Sequence, residues 1–196
     1  MQFYKSRKGY FFILDAMLGL ITLVIGVFLI TSAYVSAPQS TQVAFLSEDL
    51  MRFLSNTKVK DLNNIYAGIG GSLQSRGYIE DPSNSLLQQI GEFYEKSRQN
   101  YPLPTGETEP YMQIAQKFVQ NVSEGSIPWQ FRYAFCINGE AIYPVASSSC
   151  MSYINSQQGA SQSVLLRNSR NIAFGILIND KEIWGPYKAE VFVWES

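Results

Sequence analysis

The sequence contains no histidine and only two cysteines among its 196 residues. Without imidazole there is no Ser-His-Asp or Cys-His nucleophile pair, no histidine-bound metal and no ordinary acid–base group for neutral pH. Two cysteines cannot supply the four thiolates of a structural zinc site. These absences exclude most familiar enzyme chemistry, so we expect a protein that is not an enzyme and that holds neither a metal nor a cofactor.

Charge is also scarce, at 16% of residues, and the formal net charge is −1. A protein that binds nucleic acid through a general phosphate-binding field needs a positive surplus, so we expect no nucleic-acid partner. No small-molecule substrate is evident either. Glu107 and Glu109 are of the residue type used in acid–base catalysis, but they lie in a Pro- and Gly-rich connector, where we expect solvated side chains.

One long uncharged run dominates the N-terminal part of the chain. Residues 16–47 form a stretch of 32 without a charged side chain. The most apolar part, residues 16–34, would make a helix roughly 28 Å long, which matches the hydrocarbon core of a bilayer. A core helix of so small a domain is rarely apolar on all faces. We therefore predict a membrane-inserting helix over residues 10–35.

The charges on either side of this run indicate its orientation. Lys5, Arg7 and Lys8 precede it, and the first charges beyond it are acidic, at Glu48 and Asp49. Basic residues favour the cytoplasmic side of a membrane helix. The pattern predicts a cytoplasmic N-terminus and an extracytoplasmic head.

Asp15 is the one acidic residue just inside the apolar run. A carboxylate at the bilayer centre costs about 2.5–3.5 kcal/mol on insertion scales. In one interpretation Asp15 lies near the interface and its carboxylate reaches toward Lys8. In the other it pairs with a positive charge of a neighbouring molecule in an assembly, because intramembrane acids usually have such a partner.

The segment from Lys5 to Asp15, KSRKGYFFILD, resembles the class III signal peptide of type IV prepilins, including archaeal-type and minor pilin-like proteins. The resemblance implies that residues 1–9 are a basic leader, cut on the cytoplasmic side by a prepilin peptidase between Gly9 and Tyr10, with Lys8 as the residue before the glycine. It further implies that Asp15 sets the register between neighbouring helices by neutralising an amine at Tyr10. The acid of the family is usually a glutamate at the fifth mature position, whereas Asp15 would be the sixth.

On this resemblance the protein is a structural subunit of a type IV pilus-like filament, and its partners are the membrane, the peptidase and like or unlike subunits. It would lie in the cell membrane, or in a surface filament after processing. Two alternatives remain for the same segment. One is an ordinary secretory signal cleaved near residues 35–37. The other is an uncleaved signal anchor that carries an extracytoplasmic binding or interaction module.

The rest of the chain predicts an α+β head. Pro38 favours a break after the membrane helix, and apolar residues at helical spacing predict an amphipathic stalk over residues 36–66. Two further helices are expected in the helical part of the head, 67–127, one beginning after a Ser83 cap and one over 109–122. The sheet part of the head is expected over residues 128–196.

Alternating apolar residues predict the strands of an antiparallel sheet. Residues 129–137 alternate, and Asn138-Gly139 is a strong hairpin signal that returns the chain through 141–145. Residues 172–178 form another alternating stretch with a second hairpin candidate at 179–180. Residues 182–184 and 187–194 complete a set of four or five strands, which together with the helices indicates the α+β class.

Three features of the predicted head concern modification or binding. Cys136 and Cys150 most simply form a disulfide in an extracytoplasmic head, although two unpaired thiols remain the alternative. Asn121-Val122-Ser123 is a glycosylation acceptor pattern. The polar residues 146–163 predict a long structureless loop, which is either a binding or subunit-contact loop or a tolerated surface excursion.

Overall fold

The computed structural model describes residues 8–35, 39–62, 72–145, 149–158, 166–177 and 182–195. They belong to two compact units, residues 1–41 and 42–196, of which the second is called the C-terminal unit below. The first unit contains helix α1 (Lys8–Val35). This helix begins two residues before the predicted bound and ends where it was predicted to end.

The C-terminal unit has the predicted α+β architecture. Its helices are α2 (Gln39–Asn56, of which the first three residues precede the unit), α3 (Leu86–Arg98), α4 (Tyr111–Ser123) and α5 (Cys150–Gln158). Its strands are β1 (Phe131–Ile137), β2 (Glu140–Tyr143), β3 (Arg167–Leu177) and β4 (Glu182–Glu195). The four described strands form one antiparallel sheet in the order β2-β1-β4-β3.

The sheet has four strands because the last two predicted ones are a single strand. β4 runs through Gly185 and Pro186, and its pairing with β3 shifts by one residue between Ala173 and Gly175. Such a bulge places an extra residue on one strand without ending the ladder. Gly185 has φ +86°, and a Cβ there would lie 2.7 Å from the carbonyl oxygen of Ala173, so this position requires glycine. The predicted hairpin at 179–180 lies outside the described residues.

Helix α3 begins at a capping box. The Ser85 hydroxyl accepts a hydrogen bond from the Gln88 amide at 3.1 Å, and the Gln88 side chain accepts one from the Ser85 amide at 2.9 Å. These two bonds satisfy donors that a helix start otherwise leaves unpaired. The prediction that Ser83 caps the helix was wrong, because Ser83 instead donates its amide to the side chain of Asp81 in the preceding turn.

The core of the C-terminal unit forms where helices α3 and α4 pack together against one face of the sheet. Phe93 of α3 makes an edge contact with Phe118 of α4, at 5.8 Å between ring centroids. The predicted apolar stripe of α2 joins this core through Val43, Leu50 and Leu54, all of which are buried. α2 is therefore amphipathic as expected.

The opposite face of the sheet is covered in part by α5, which lies in the segment predicted to be a structureless loop. That prediction was wrong for residues 150–158. Ile154 is fully buried with Phe192 and Trp194, and Cys150 joins the same cluster. One buried isoleucine and the covalent link at Cys150 hold a helix whose sequence is otherwise polar, so hydrophobic periodicity gave no signal for it.

The contact between α3 and the sheet depends on two glycines around Trp184. A Cβ built on Gly91 would lie 2.5 Å from the Trp184 ring, and one built on Gly175 would lie 2.6 Å from it. Glycine in the middle of a helix is otherwise unfavourable by roughly 1 kcal/mol relative to alanine. The close approach of the indole explains why α3 contains one.

We expect Gly91→Ala to destabilise the C-terminal unit by about 1–3 kcal/mol, because the clash with Trp184 outweighs the gain in helix propensity. Trp184→Leu in the same background removes the clash and should make Gly91→Ala neutral or stabilising. Urea unfolding of the single and double variants measures both effects. Additive losses in the double variant would show that the indole is not the cause.

Candidate functional site

Helix α1 is the most unusual feature of the described chain. Residues Ile13–Ile30 have a mean hydropathy of 2.6, and none of them is buried within the protein. The 28 residues of α1 make a helix roughly 42 Å long, which exceeds the thickness of a bilayer core. The helix is thus long and apolar enough to cross a membrane.

Asp15 and Thr22 of this helix lie on one face together with two glycines. Asp15, Gly19, Thr22 and Gly26 follow one another at spacings of four, three and four residues, which places them along a single stripe. The Thr22 hydroxyl donates to the carbonyl oxygens of Leu18 and Gly19, each at 2.9 Å, so it needs no outside partner. A Cβ built on Gly19 or Gly26 meets no atom within 4 Å. The stripe is therefore open to close approach by another helix.

The proposed processing and register residues lie at the start of this helix. Lys8, Gly9 and Tyr10 form the first turn of α1, and Asp15 is exposed in the turn that follows. The leader residues before Lys8 lie outside the described part of the chain. Lys8 and Asp15 are seven residues apart and therefore share one face of the helix.

The predicted pairing of the two cysteines is present in the structure. Cys136 of β1 is bonded to Cys150, the first residue of α5, and their Cα atoms are 6.1 Å apart. Both residues are buried. The bond fastens α5 to the outer face of the sheet beside Trp194.

We expect reduction of this disulfide to lower the free energy of unfolding by about 3 kcal/mol, the chain-entropy value for a loop of this length. Cys150→Ala should cause a similar loss under oxidising conditions. In reductant the variant and the wild type should have nearly equal stability, as judged by urea unfolding. A Cys150→Ala loss of the same size in both conditions would mean that packing, not the bond, is responsible.

Asn121 lies in α4, and its side-chain amide donates to the carbonyl oxygen of Lys117 at 2.7 Å. It is half-buried on a helix. Glycosylation at this position stays a prediction, and the sugar would attach to a nitrogen that already has a hydrogen-bond partner.

Glu107 and Glu109 are not the solvated side chains that the sequence suggested. The Arg76 guanidinium donates to Glu107 at 2.9 Å through Nε and contacts Glu109 at 3.7 Å, and Lys117 also pairs with Glu109. The ion pair with Arg76 lowers the pKa of Glu107. Both carboxylates are thus paired with cations, and these ion pairs connect the turn at Arg76 to the segment before α4 and to Lys117 of α4.

A second charge cluster lies inside the helical layer. The Lys96 ammonium, 1% exposed, is 2.7 Å from Glu92 and 2.8 Å from Glu80. It also lies 5.5 Å from the ring centroids of Tyr101 and Tyr111. Burial alone would lower the pKa of Lys96, but the two carboxylates outweigh it and the pKa is raised. Nothing in the sequence pattern signals that this lysine is buried.

Comparison with known proteins identifies no relative: no family model, no curated protein and no solved structure matches this chain. In the described part of the chain, no group of three or more Cys, Asp or Glu side chains is arranged to hold a metal ion. The exposed apolar surface of α1 is the candidate functional site.

Proposed function

We propose that this protein is a structural subunit of a type IV pilus-like surface filament, cleaved after Gly9 by a prepilin peptidase and polymerised through α1. The observation that carries the proposal is that no residue of Ile13–Ile30 is buried, in a helix whose start overlaps a basic leader. A surface this apolar needs lipid or other helices around it. Cleavage after Gly9 would remove only the first two residues of α1 and would keep its apolar part for assembly.

Asp15 and the small residues of α1 support packing between copies of the helix. Small side chains at an interface allow helix backbones to approach closely within a bilayer. A carboxylate in the same stripe is stabilised by an opposite charge from a neighbour, which the new amine of Tyr10 would supply. The disulfide supports an oxidising, extracytoplasmic location for the C-terminal unit, with the N-terminus on the cytoplasmic side.

Intact mass and N-terminal sequencing of the protein extracted from its native membrane test the processing step. The proposal expects a chain that starts at Tyr10 and retains α1. A chain that starts at Met1 would instead identify an uncleaved, membrane-anchored extracytoplasmic binding or interaction module. A start near residue 38 would indicate an ordinary secretory signal.

The glycine stripe gives a second test. Gly26→Leu should reduce recovery of the protein in sheared surface filaments at least tenfold, because the added side chain keeps neighbouring helices apart. The subunit itself should be unaffected, since a Cβ at Gly26 meets open space. Val27→Leu, which enlarges the helix off the stripe, is the matched control. Equal recovery of the two variants would contradict packing through this face.

A further inference from the structure

Strand β3 lies at one edge of the sheet, and no strand of the described residues pairs with its free side. The backbone carbonyl oxygen of Lys188 in β4 accepts a hydrogen bond from the Asn138 amide at 2.8 Å, and the Lys188 amide donates one to the Asn138 side chain at 2.9 Å. Both backbone groups of Lys188 therefore point away from β3. Ile172, which lies opposite Lys188, therefore directs its own amide and carbonyl to the free edge. By alternation Asn168, Arg170 and Phe174 do the same.

Side chains, not strands, occupy this edge among the described residues. The amide of Ile172 donates to the side chain of Asn171, and Gln88 donates to the carbonyl oxygen of Phe174 at 3.4 Å. The second of these is at the outer limit of a hydrogen bond. An edge of this kind is a template for a further strand.

A trench made of three adjoining cavities follows the same edge, and the Asn171 side chain donates to the Ser55 hydroxyl at 2.7 Å where the first two cavities meet. Its first cavity, about 500 Å³, lies between α2 and residues 168–171, and the second, about 300 Å³, shares Ser55 and Asn171 with it. The third, about 500 Å³, shares Gln88 and Phe174 with the second. From Asn168 to Ile176 the trench spans roughly 27 Å, the length of a strand of about eight residues. We call it the β3 trench.

The outer surface beside the β3 trench is apolar. Ile172, Phe174 and Ile176 of β3 and Ile183 of β4 are each more than half exposed, whereas their inward neighbours Ala173 and Leu177 are buried. α5 covers the neighbouring part of this face but not these residues. A strand added at the edge would shelter them if its outward side chains were also apolar.

The two ends of the trench differ in charge. The cavity at the first end is lined by Arg170 and by the ion pair of Arg52 with Glu48. Arg170 shares the carboxylate of Glu190, at 2.8 Å, with Lys188, which lies opposite Ile172 at 2.9 Å from the same carboxylate, so these charges leave one positive charge in excess. At the other end the cavity is lined by Asp81. An occupant that is acidic at the Arg170 end and basic at the Asp81 end complements both.

We propose that the β3 trench binds one extended peptide segment of a partner protein as a fifth, antiparallel strand, with apolar side chains at alternate positions, a basic N-terminal end and an acidic C-terminal end. Backbone hydrogen bonds to β3 supply affinity, and the apolar ladder supplies selectivity. Only a single extended strand fits in the β3 trench, because α2 and the start of α3 line its other side. The β3 edge of a second copy is excluded, because its own α2 and α3 lie beside that edge and would clash. This binding role is independent of filament assembly.

Fluorescence anisotropy with the full chain in detergent micelles tests the proposal. The probe is a labelled peptide of about nine residues, with lysine first, glutamate last and valine alternating with threonine between them. We expect saturable binding, with amide hydrogen exchange slowed at Arg170, Ile172 and Phe174. Two control peptides carry N-methyl groups on the valine or on the threonine nitrogens. Only one of these two should lose binding, because only one set of amides faces β3.

Protein variants test whether the peptide binds at the β3 edge or elsewhere on the surface. Ile172→Ser with Phe174→Ser should weaken binding at least tenfold without loss of fold, since both side chains are exposed. Trp129→Ser, at an exposed position outside the trench lining, should leave binding unchanged. No binding of the unmethylated peptide, or equal binding of both methylated peptides, would overturn the proposal. Self-association of the chain that Ile172→Ser with Phe174→Ser abolishes would overturn it in favour of a second copy.

Discussion

Replacing Lys96 with methionine is expected to destabilise the C-terminal unit by about 3–5 kcal/mol at neutral pH. Methionine nearly fills the same space, so the loss comes from charge and not from a cavity. The variant leaves Glu92, whose side chain is 4% exposed, without the ammonium at 2.7 Å. An uncompensated buried carboxylate is far more costly than the lost contact itself.

This loss should depend on pH in a defined direction. Burial raises the pKa of Glu92, and Lys96 opposes that rise, so the pKa rises further in Lys96→Met. A carboxyl whose pKa is higher in the folded than in the unfolded state makes the protein less stable as pH increases between the two values. The deficit of the variant should therefore be largest at neutral pH and shrink toward pH 4. Urea unfolding at several pH values, followed by tryptophan fluorescence, measures it.

Lys117→Met is the matched control, because Lys117 also pairs with a glutamate but its side chain is 62% exposed. An exposed pair contributes about 1 kcal/mol or less. Adding Glu92→Gln to Lys96→Met should recover part of the loss, since it removes the stranded charge. Equal losses for Lys96→Met and Lys117→Met would show that the buried pair is not a net stabiliser.

The second large effect concerns assembly. Asp15→Ala is expected to abolish incorporation into filaments while membrane insertion stays intact or improves, because an apolar helix without a carboxylate enters the bilayer more easily. In the proposed filament, the Tyr10 amine of the neighbouring helix would then have no counter-charge. Immunoblots of the sheared filament fraction and of the membrane fraction measure the two outcomes.

Asp15→Glu keeps the charge and serves as the control. It should retain assembly, since glutamate reaches at least as far along the same face. Unchanged filament recovery for Asp15→Ala would contradict the role of Asp15 in register, even if processing at Gly9 is found. Loss of the variant from the membrane fraction as well would point to a defect in insertion instead.

The elements whose formation depends on the sequence pattern of neighbouring residues could be predicted. The apolar run predicted α1, the spacing of Val43, Leu50 and Leu54 predicted the buried face of α2, and Asn138-Gly139 predicted the β1–β2 hairpin. Each of these signals lies within a few residues along the chain. α4 also begins within two residues of its predicted start.

Other features were missed because they depend on residues far apart in sequence. α5 exists because Ile154 packs on Trp194 and Cys150 bonds to Cys136. Glu107 is paired because a turn brings Arg76 to it across 31 positions. No local periodicity carries information about such contacts.

Residue type and spacing were enough to predict an apolar helix with an acidic residue near its start, a helical segment and an antiparallel sheet, because they dictate which segments bury which faces. The burial of Lys96, the need for a glycine at position 91 and the place of β3 at the edge of the described sheet could be learned from the folded structure alone. These three properties arise from close packing between distant segments, and packing is known only once the segments meet.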